Sequence, residues 1–377
     1  MISWYLDFRL FQTSIFSAQA KTRYDFSKHH YSYHLWVNDH WQSRYRFRKA
    51  SHDTITYTCI IGTNSRVNEL EDVKSILDCF QKHGHSEIDS ARVYASGTTE
   101  EMLGEVHWDQ RGLVMGTKLY PTKGQAMTGI TPEEWTHSAE DVRAGLMKSL
   151  AALKTASIDL FYLHAPDRDT PIEVTLAEVD KLHKEGYFRR FGISNYQSWE
   201  VARICDACEK NGWIKPTVYQ GLYNAYQRSI EPELVPCLRH YGIRIYAFQP
   251  LAGGFLTNKY KRNQKEYEKG SRFDPSAATG RMHQGRYMDE RHFDALETLR
   301  ATITKHDLTE AECGLRWMIH HSVLDRSLGD AVIVGASRAS QLEENLSDLE
   351  KGPLPEEVVK ALDAGWAVIS GTYIYWH

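Results

Sequence analysis

A chain of 377 residues with 42% hydrophobic content is long enough for one large α/β domain or two smaller ones, each with a sizeable core. Its formal charge of -4 comes from acids and bases mixed along the sequence, which excludes nucleic acid as a partner class. No apolar run approaches the ~20 residues that cross a bilayer, so a membrane span is excluded and a soluble protein is expected.

Residues 1–53 differ from everything after them. They hold thirteen aromatics, five His and eight Lys or Arg against four Asp, with no Gly, no Pro and no sustained helical or alternating period. Asp7 stands too early and the Arg44 to Arg48 cluster too late for a transit peptide, and there is no uninterrupted apolar stretch for a secretory signal. The expectation is an atypical N-terminal extension outside a main domain of residues 54–377.

From Thr54 onward, eight β-rich runs alternate with helical patterns: TYTCIIGT, HSEIDSA, GLVMGTKL, DLFYLHA, FRRFGISN, TVYQGLY, IRIYAFQPL and DAVIVGAS. Helical spacing falls between them in NELEDVKSILDCFQKHG, AEDVRAGLMKSLAALK, VTLAEVDKLHKEG, SWEVARICDACEKNG, PELVPCLRHYG and SQLEENLSDLE, with Gly84, Gly186, Gly212 and Gly242 at the expected helix ends. Cys205 and Cys208 form a CxxC, but no second Cys or His pair follows at zinc spacing, so they read as packed helical thiols and no metal site is expected. Six sparse cysteines do not make a disulfide framework, which points to a reducing compartment, the cytoplasm. The stretch from Asn258 to Asp289 has no clear period and reads as a long loop on the catalytic rim, a candidate lid.

Eight βα units over roughly 300 residues suit a closed (β/α)8 TIM barrel, the number of strands at which a buried parallel sheet closes on itself. An open doubly wound sheet shares the alternation, but no GxGxxG follows any strand. The barrel is preferred.

In a barrel the C-terminal strand ends converge, which brings Asp89 (second strand), Lys118 (third) and His164 (fourth) together, with Tyr94 in the loop after Asp89. A tyrosine, with a free pKa of about 10, is a poor acid at neutral pH until a buried ammonium favours its phenolate. Lys118 can supply that field, Asp89 can fix Lys118, and His164 can donate to the same oxygen. Together they read as a general acid for an oxygen that gains charge as its carbon is attacked. Each also has a structural reading: Asp89 and Lys118 as an ion pair across the barrel top, Tyr94 as a loop aromatic, His164 as a hydrogen-bonded strand terminus.

The strings EIDSARVY, GTKLYP, FYLHAPD, FGISNY, TVYQGLYNA, YAFQPLAGGFLTNKY and VIVGASRASQLEENL resemble the aldo-keto reductases. The longer run WEVARICDACEKNGWIKPTVYQGLYNA, with ELVPCLRHYGIRIYAFQPLAGGFLTNKY, is similar to the aflatoxin aldehyde reductase subfamily. The resemblance runs from Gly62 to Ala367 and leaves out residues 1–53. It implies an NADPH-dependent oxidoreductase acting on a small-molecule carbonyl substrate, with Tyr94 as general acid, Lys118 and Asp89 tuning it and His164 orienting the carbonyl. It also implies cofactor residues: Ser194, Asn195 and Gln220 at the nicotinamide, Tyr246 near a stacking position, and the Gln249 to Lys259 loop, with Pro250, Leu251 and Gly253, around the pyrophosphate. Gly335, Ser337, Arg338, Gln341, Glu344 and Asn345 fall at the adenosine end. A homodimer is the habit of the subfamily.

Chemistry agrees with those assignments. Gly253 and Gly254 permit close backbone approach to phosphate, Lys259 adds a cation, and Ser337 with Arg338 at a helix start suits a 2′-phosphate, favouring NADP over NAD. Two departures set further expectations. The loop IIGTNSRVNEL lacks the second Gly of the family's first loop, so that loop is expected to be shorter or rebuilt, and the ending SGTYIYWH differs from the usual substrate-pocket segment. Two competing readings are a regulatory NADPH-binding subunit, docked through the aromatic extension, and a hydrolase or isomerase that uses Asp89 and His164 without cofactor.

Overall fold

The computed structural model describes residues 61–63, 65–123 and 133–377, together with the backbone of residues 54–57. The expectation for residues 1–53 lies outside the described residues.

Eight parallel strands close on themselves in sequence order: β1 (Thr54–Tyr57), β2 (Glu87–Asp89), β3 (Val114–Leu119), β4 (Ile158–Leu163), β5 (Phe188–Ser194), β6 (Val218–Leu222), β7 (Arg244–Phe248) and β8 (Ala331–Val334). Strand β1 pairs on one side with β2, Ile55 against Glu87, and on the other with β8, Ile55 against Ile333. The helices are α1 (Leu70–Lys82), α2 (Thr98–Glu105), α3 (Ala139–Ala152), α4 (Ile172–Lys184), α5 (Ser198–Asn211), α6 (Leu234–His240), α7 (Ala278–Tyr287), α8 (Glu290–Ile303), α9 (Glu310–His320), α10 (Ala339–Leu349) and α11 (Glu356–Ile369). The (β/α)8 barrel is the expected fold.

Strand alternation divides the core in two. Leu160, Tyr162, Val218, Tyr246, Ala331 and Ile333 form a cluster inside the barrel, while their neighbours Phe161, Leu163, Phe191, Ile193, Tyr219 and Ile245 join the shell under the helices. Gly192 makes room for the largest interior ring, since a Cβ there would lie 2.4 Å from Tyr162 Cδ1. Below it, Arg190 donates to Glu87 (2.9 Å), Asp159 (2.5 Å) and the Tyr246 hydroxyl (3.0 Å), closing the barrel floor with paired charge.

Two elements depart from expectation. Strand β1 lies at Thr54–Tyr57 rather than along TYTCIIGT, because Ile61 at the end of that run bridges Val67 and begins the first loop. The stretch Asn258 to Asp289 is not all loop: α7 occupies Ala278–Tyr287, and its buried residues are Gly280, His283, Arg286 and Tyr287 instead of aliphatics. No hydrophobic period could therefore mark it. The segment after α11 returns to the barrel mouth, where His377 N–H donates to Asn195 O (3.2 Å) and Arg286 donates to the Tyr373 hydroxyl (2.7 Å).

Candidate active site

All four strand-end residues meet at the C-terminal mouth. Lys118 is fully buried, and its ammonium donates to Asp89 Oδ2 (2.5 Å) and Ser90 O (2.7 Å). Gln220 donates to the other carboxylate oxygen, Asp89 Oδ1 (2.7 Å). Burial pushes the Asp89 carboxyl up, and the Lys118 ammonium and these hydrogen bonds oppose that rise. The ammonium stands between two aromatic rings, 4.9 Å from the Tyr94 centroid and 5.5 Å from that of Tyr162. Of these two phenols only Tyr94 reaches the mouth: Tyr162 is sealed in the barrel, where burial and the Asp89 charge raise its hydroxyl well above the ordinary value. His164 meets Tyr94 edge to face at 5.7 Å between centroids, and Tyr120 flanks it at 5.3 Å. Burial, then the Lys118 cation, hold the His164 imidazole well below its usual pKa, so it is neutral and can donate one hydrogen bond without carrying charge. Its Nδ1 is buried without a hydrogen-bond partner.

Tyr94 is held by backbone strain braced from two sides. It opens a 3-10 turn, Tyr94–Gly97, in which Ala95 (φ 47) and Ser96 (φ 57) are left-handed. The first loop presses on that turn at Gly62 (φ 146), where a Cβ would lie 2.3 Å from Ala95 Cβ. Thr99 donates to Ile61 O (2.5 Å), and Thr63 N–H donates to Thr98 Oγ1 (3.1 Å). On the other side Arg92 pairs with the buried Glu100 (2.9 Å), which also accepts from Thr117 of β3 (2.5 Å). The described residues of the first loop thus buttress the tyrosine turn.

Beside the acid cluster, β5 ends in Ser194 and Asn195. Asn195 adopts φ 65, a conformation Asn tolerates better than most residues, and its Nδ2 donates to His164 O (2.9 Å) and Ser194 Oγ (3.0 Å). Its Oδ1 is buried and accepts nothing. A buried acceptor without a donor at this point fits the amide of a nicotinamide carboxamide.

From the mouth a groove runs outward past the ends of β7 and β8. Gln249, Pro250, Leu251, Gly253, Lys259, Gly335, Ser337, Gln341 and Asn345 line it. Arg338 and Glu344 do not: both are exposed, Arg338 at the N-cap of α10 and Glu344 on its solvent side. Nor does Tyr246, whose hydroxyl is engaged by Arg190 in the barrel floor; Phe248 is the half-buried aromatic at that strand end. The two glycines differ in purpose. A Cβ on Gly253 would meet His283 Cδ2 at 2.5 Å, so its bareness admits the α7 histidine, whereas a Cβ on Gly254 (φ 104) would face open space. The Gln249 side chain is likewise engaged by α7, accepting from Tyr287 (2.9 Å) and Arg286 (3.3 Å).

Sequence reasoning missed Arg66, Glu268 and Arg272, which also line the groove. Arg66 pairs with Glu268 (2.5 Å) and donates to Gly270 O (3.2 Å), joining the first loop to the segment after β7. Arg66 lies in the first loop, and Glu268 and Arg272 lie in the aperiodic stretch marked as a lid, where charge was the only signal. Along the groove the cations Arg66, Lys259 and Arg272 face the single carboxylate of Glu268, a balance that suits phosphates.

Comparison with known proteins agrees with this geometry. Residues 58–367 match the model of the Aldo/keto reductase family. The aldo-keto reductase pigE of Monascus ruber is 51% identical over 305 residues, covering 80% of this chain and 89% of that protein. Aflatoxin B1 aldehyde reductase member 2 of Mus musculus is 40% identical over 340 residues, covering 86% and 88%. Aflatoxin B1 aldehyde reductase member 4 of Homo sapiens is 42% identical over 301 residues, covering 78% and 88%. With the closed barrel, the strand-end cluster and matches of this length, the chain belongs to the aldo/keto reductase family, in its aflatoxin aldehyde reductase subfamily, and is an oxidoreductase of carbonyl groups.

Proposed function

We propose that this protein reduces an aldehyde or ketone to the alcohol with NADPH, Tyr94 giving the proton and Lys118, Asp89 and His164 preparing it. The observation that carries this reading is the buried Asp89–Lys118 pair set against the Tyr94 ring at the barrel mouth, with the neutral His164 edge-on beside it. When bound, the reduced nicotinamide supplies the hydride to the carbonyl carbon. As the carbonyl oxygen gains charge, the Tyr94 hydroxyl transfers its proton to it, and the Lys118 cation stabilises the phenolate left behind. His164 donates to the same oxygen, and Asp89 keeps Lys118 charged and in place.

The unpaired Asn195 Oδ1 supports a carboxamide at the end of β5, next to Ser194 and Gln220. The groove cations support a pyrophosphate, and Ser337 in the groove wall at the start of α10, with Arg338 exposed beside it at the N-cap, supports a 2′-phosphate and hence NADPH over NADH. Free thiols at Cys79, Cys205, Cys208, Cys237 and Cys313 support a reducing setting, the cytoplasm.

Replacing Tyr94 by Phe tests the mechanism. Turnover of a reactive aromatic aldehyde should fall by about 10²-fold or more, the size of a general-acid contribution, while quenching of protein fluorescence by NADPH is unchanged. Near-normal turnover in Tyr94→Phe would remove the phenol from the reaction. Loss of NADPH binding would instead make Tyr94 a structural residue.

A further inference from the structure

Outside the barrel mouth, one cluster of ligating side chains is left without a role. Cys79 and His83 lie four residues apart, on one face of α1 or at its C-terminal cap, and α10 packs against that face and brings Glu343 to them. The Cys79 Sγ lies 3.4 Å from Glu343 Oε2, and His83 Nε2 lies 3.2 Å from the same oxygen. All three ligand atoms fall within 4.8 Å of one another. Tetrahedral zinc bonds of about 2.3 Å to sulfur and 2.0 Å to nitrogen and oxygen require ligand-to-ligand edges of about 3.5 and 3.3 Å. The two edges that meet at Glu343 Oε2, 3.4 Å to sulfur and 3.2 Å to nitrogen, match those values.

The surroundings of His83 distinguish this from an ordinary hydrogen-bonded cluster. Its Nδ1 lies 2.7 Å from Glu350 Oε1, a carboxylate that orients the ring with its other nitrogen toward Glu343. That other atom, Nε2, is buried and has no hydrogen-bond partner, although the side chain is only 10% exposed. It lies 3.2 Å from Glu343 Oε2, which also accepts from the Cys79 thiol (3.4 Å), so the three ligand atoms converge on one point. Lys82 holds the second oxygen, Glu343 Oε1 (3.0 Å), leaving Oε2 available. With Cys79 as thiolate and Glu343 and Glu350 ionised, a divalent ion and the Lys82 ammonium neutralise the group.

We propose that Cys79, His83 and Glu343 bind a divalent cation of the zinc class, with Glu350 orienting His83 and a fourth position open to solvent beside the part-exposed Glu343. A thiolate, an imidazole and a carboxylate together select zinc over magnesium or calcium. The Cys79 thiol donates to Glu343 Oε2 (3.4 Å), the contact that a bound cation would replace. The ion would fasten α1 to α10. Because α10 carries Gln341 and Asn345 into the groove, metal would also stiffen one groove wall.

Cobalt(II) titration of the full-length reduced protein tests the site without reference to turnover. The expected result is one equivalent bound, with a near-ultraviolet thiolate-to-cobalt charge-transfer band and the intense visible bands of a tetrahedral ion, all displaced by zinc. Cys79→Ser and His83→Gln should abolish the charge-transfer band, Glu343→Gln should weaken binding about tenfold or more, and Cys237→Ser should change nothing. Absence of the band in the unaltered protein, weak octahedral spectra alone, or a band that survives Cys79→Ser overturns the proposal. A measurement free of variants guards against misfolding: one equivalent of zinc should slow alkylation of Cys79, read by peptide mass spectrometry, and an unchanged rate at Cys79 also overturns it.

Discussion

Lys118 has no exposed surface and Asp89 only 3%, so the ion pair between them has lost nearly all hydration and depends on its internal partners. Removing one member of such a pair strands the other charge, at a cost of about 3–5 kcal/mol. Lys118→Met should therefore lower the urea unfolding free energy by about that amount as well as reduce turnover, and a stability change below about 1 kcal/mol would mean that the pair is not desolvated as described. Lys118→Arg should not restore turnover, because the flat guanidinium cannot put one compact charge between the Tyr94 and Tyr162 rings. His164 gives a second test. A group held well below its usual value stays neutral through the pH range near 6.5 where a free histidine titrates, so kcat should show no limb there belonging to His164. A limb near pH 6.5 that vanishes in His164→Gln would show that the imidazole is charged in turnover.

Two loops, rather than the strands, set the geometry of the mouth. A Cβ added at Gly62 would lie 2.3 Å from Ala95 Cβ and 2.7 Å from Thr98 Oγ1, so a side chain there must push the tyrosine turn away. Gly62→Ala should lower kcat about tenfold or more while leaving NADPH affinity within a factor of a few, since a displacement near 1 Å costs reactivity well before it costs cofactor contacts. Equal losses in both would place the effect in global folding. The Arg66–Glu268 pair ties the first loop to the segment after β7 across the groove, so Arg66→Ala should raise the NADPH dissociation rate severalfold in stopped-flow fluorescence; an unchanged rate would make the pair a surface contact worth little. These two elements also mark where reading the sequence stopped. The strands of the barrel were legible because parallel strands buried on both faces are continuous apolar runs, and Asp89, Lys118 and His164 stood out where those runs end on polar groups. Helix α7 was not, because it buries Gly280, His283, Arg286 and Tyr287, which carry no apolar stripe. Arg66, Glu268 and Arg272 lie in loops without a period, so only folding brings them to the groove. Cys79 and His83 were read merely as part of an amphipathic helix, because their third ligand comes from more than 250 residues away.

Across the whole molecule, buried neutral histidines make acid stability a property of the fold. Burial holds His137 at about 4, with its Nε2 set 3.3 Å from Leu119 O under β3. His283, packed against Gly253 and facing Thr279 O (2.8 Å), is likewise held at about 4, by burial and then by Arg272. Unfolding frees both to titrate near 6.5. Above that value neither state binds a proton at these sites and the histidines exert no pH effect. Between 6.5 and 4 the unfolded chain takes up protons that the native barrel refuses, so stability falls as pH falls, by about 3 kcal/mol for each histidine once pH reaches 4. Carboxylates act in a separate window. Asp274, held at about 2 by Ser276 and the Gly270 backbone, favours the fold above its ordinary value of 3.8 and loses that contribution only as pH drops below it. Urea midpoints should therefore decline from pH 7 to 4.5, before Asp274 contributes, and unfolding at pH 5.5 should take up more than one proton per chain. His137→Asn and His283→Asn should each flatten part of that decline even if they lower stability at pH 7.5. A midpoint independent of pH between 7 and 5 would mean that these imidazoles are charged, or hydrated, in the native barrel.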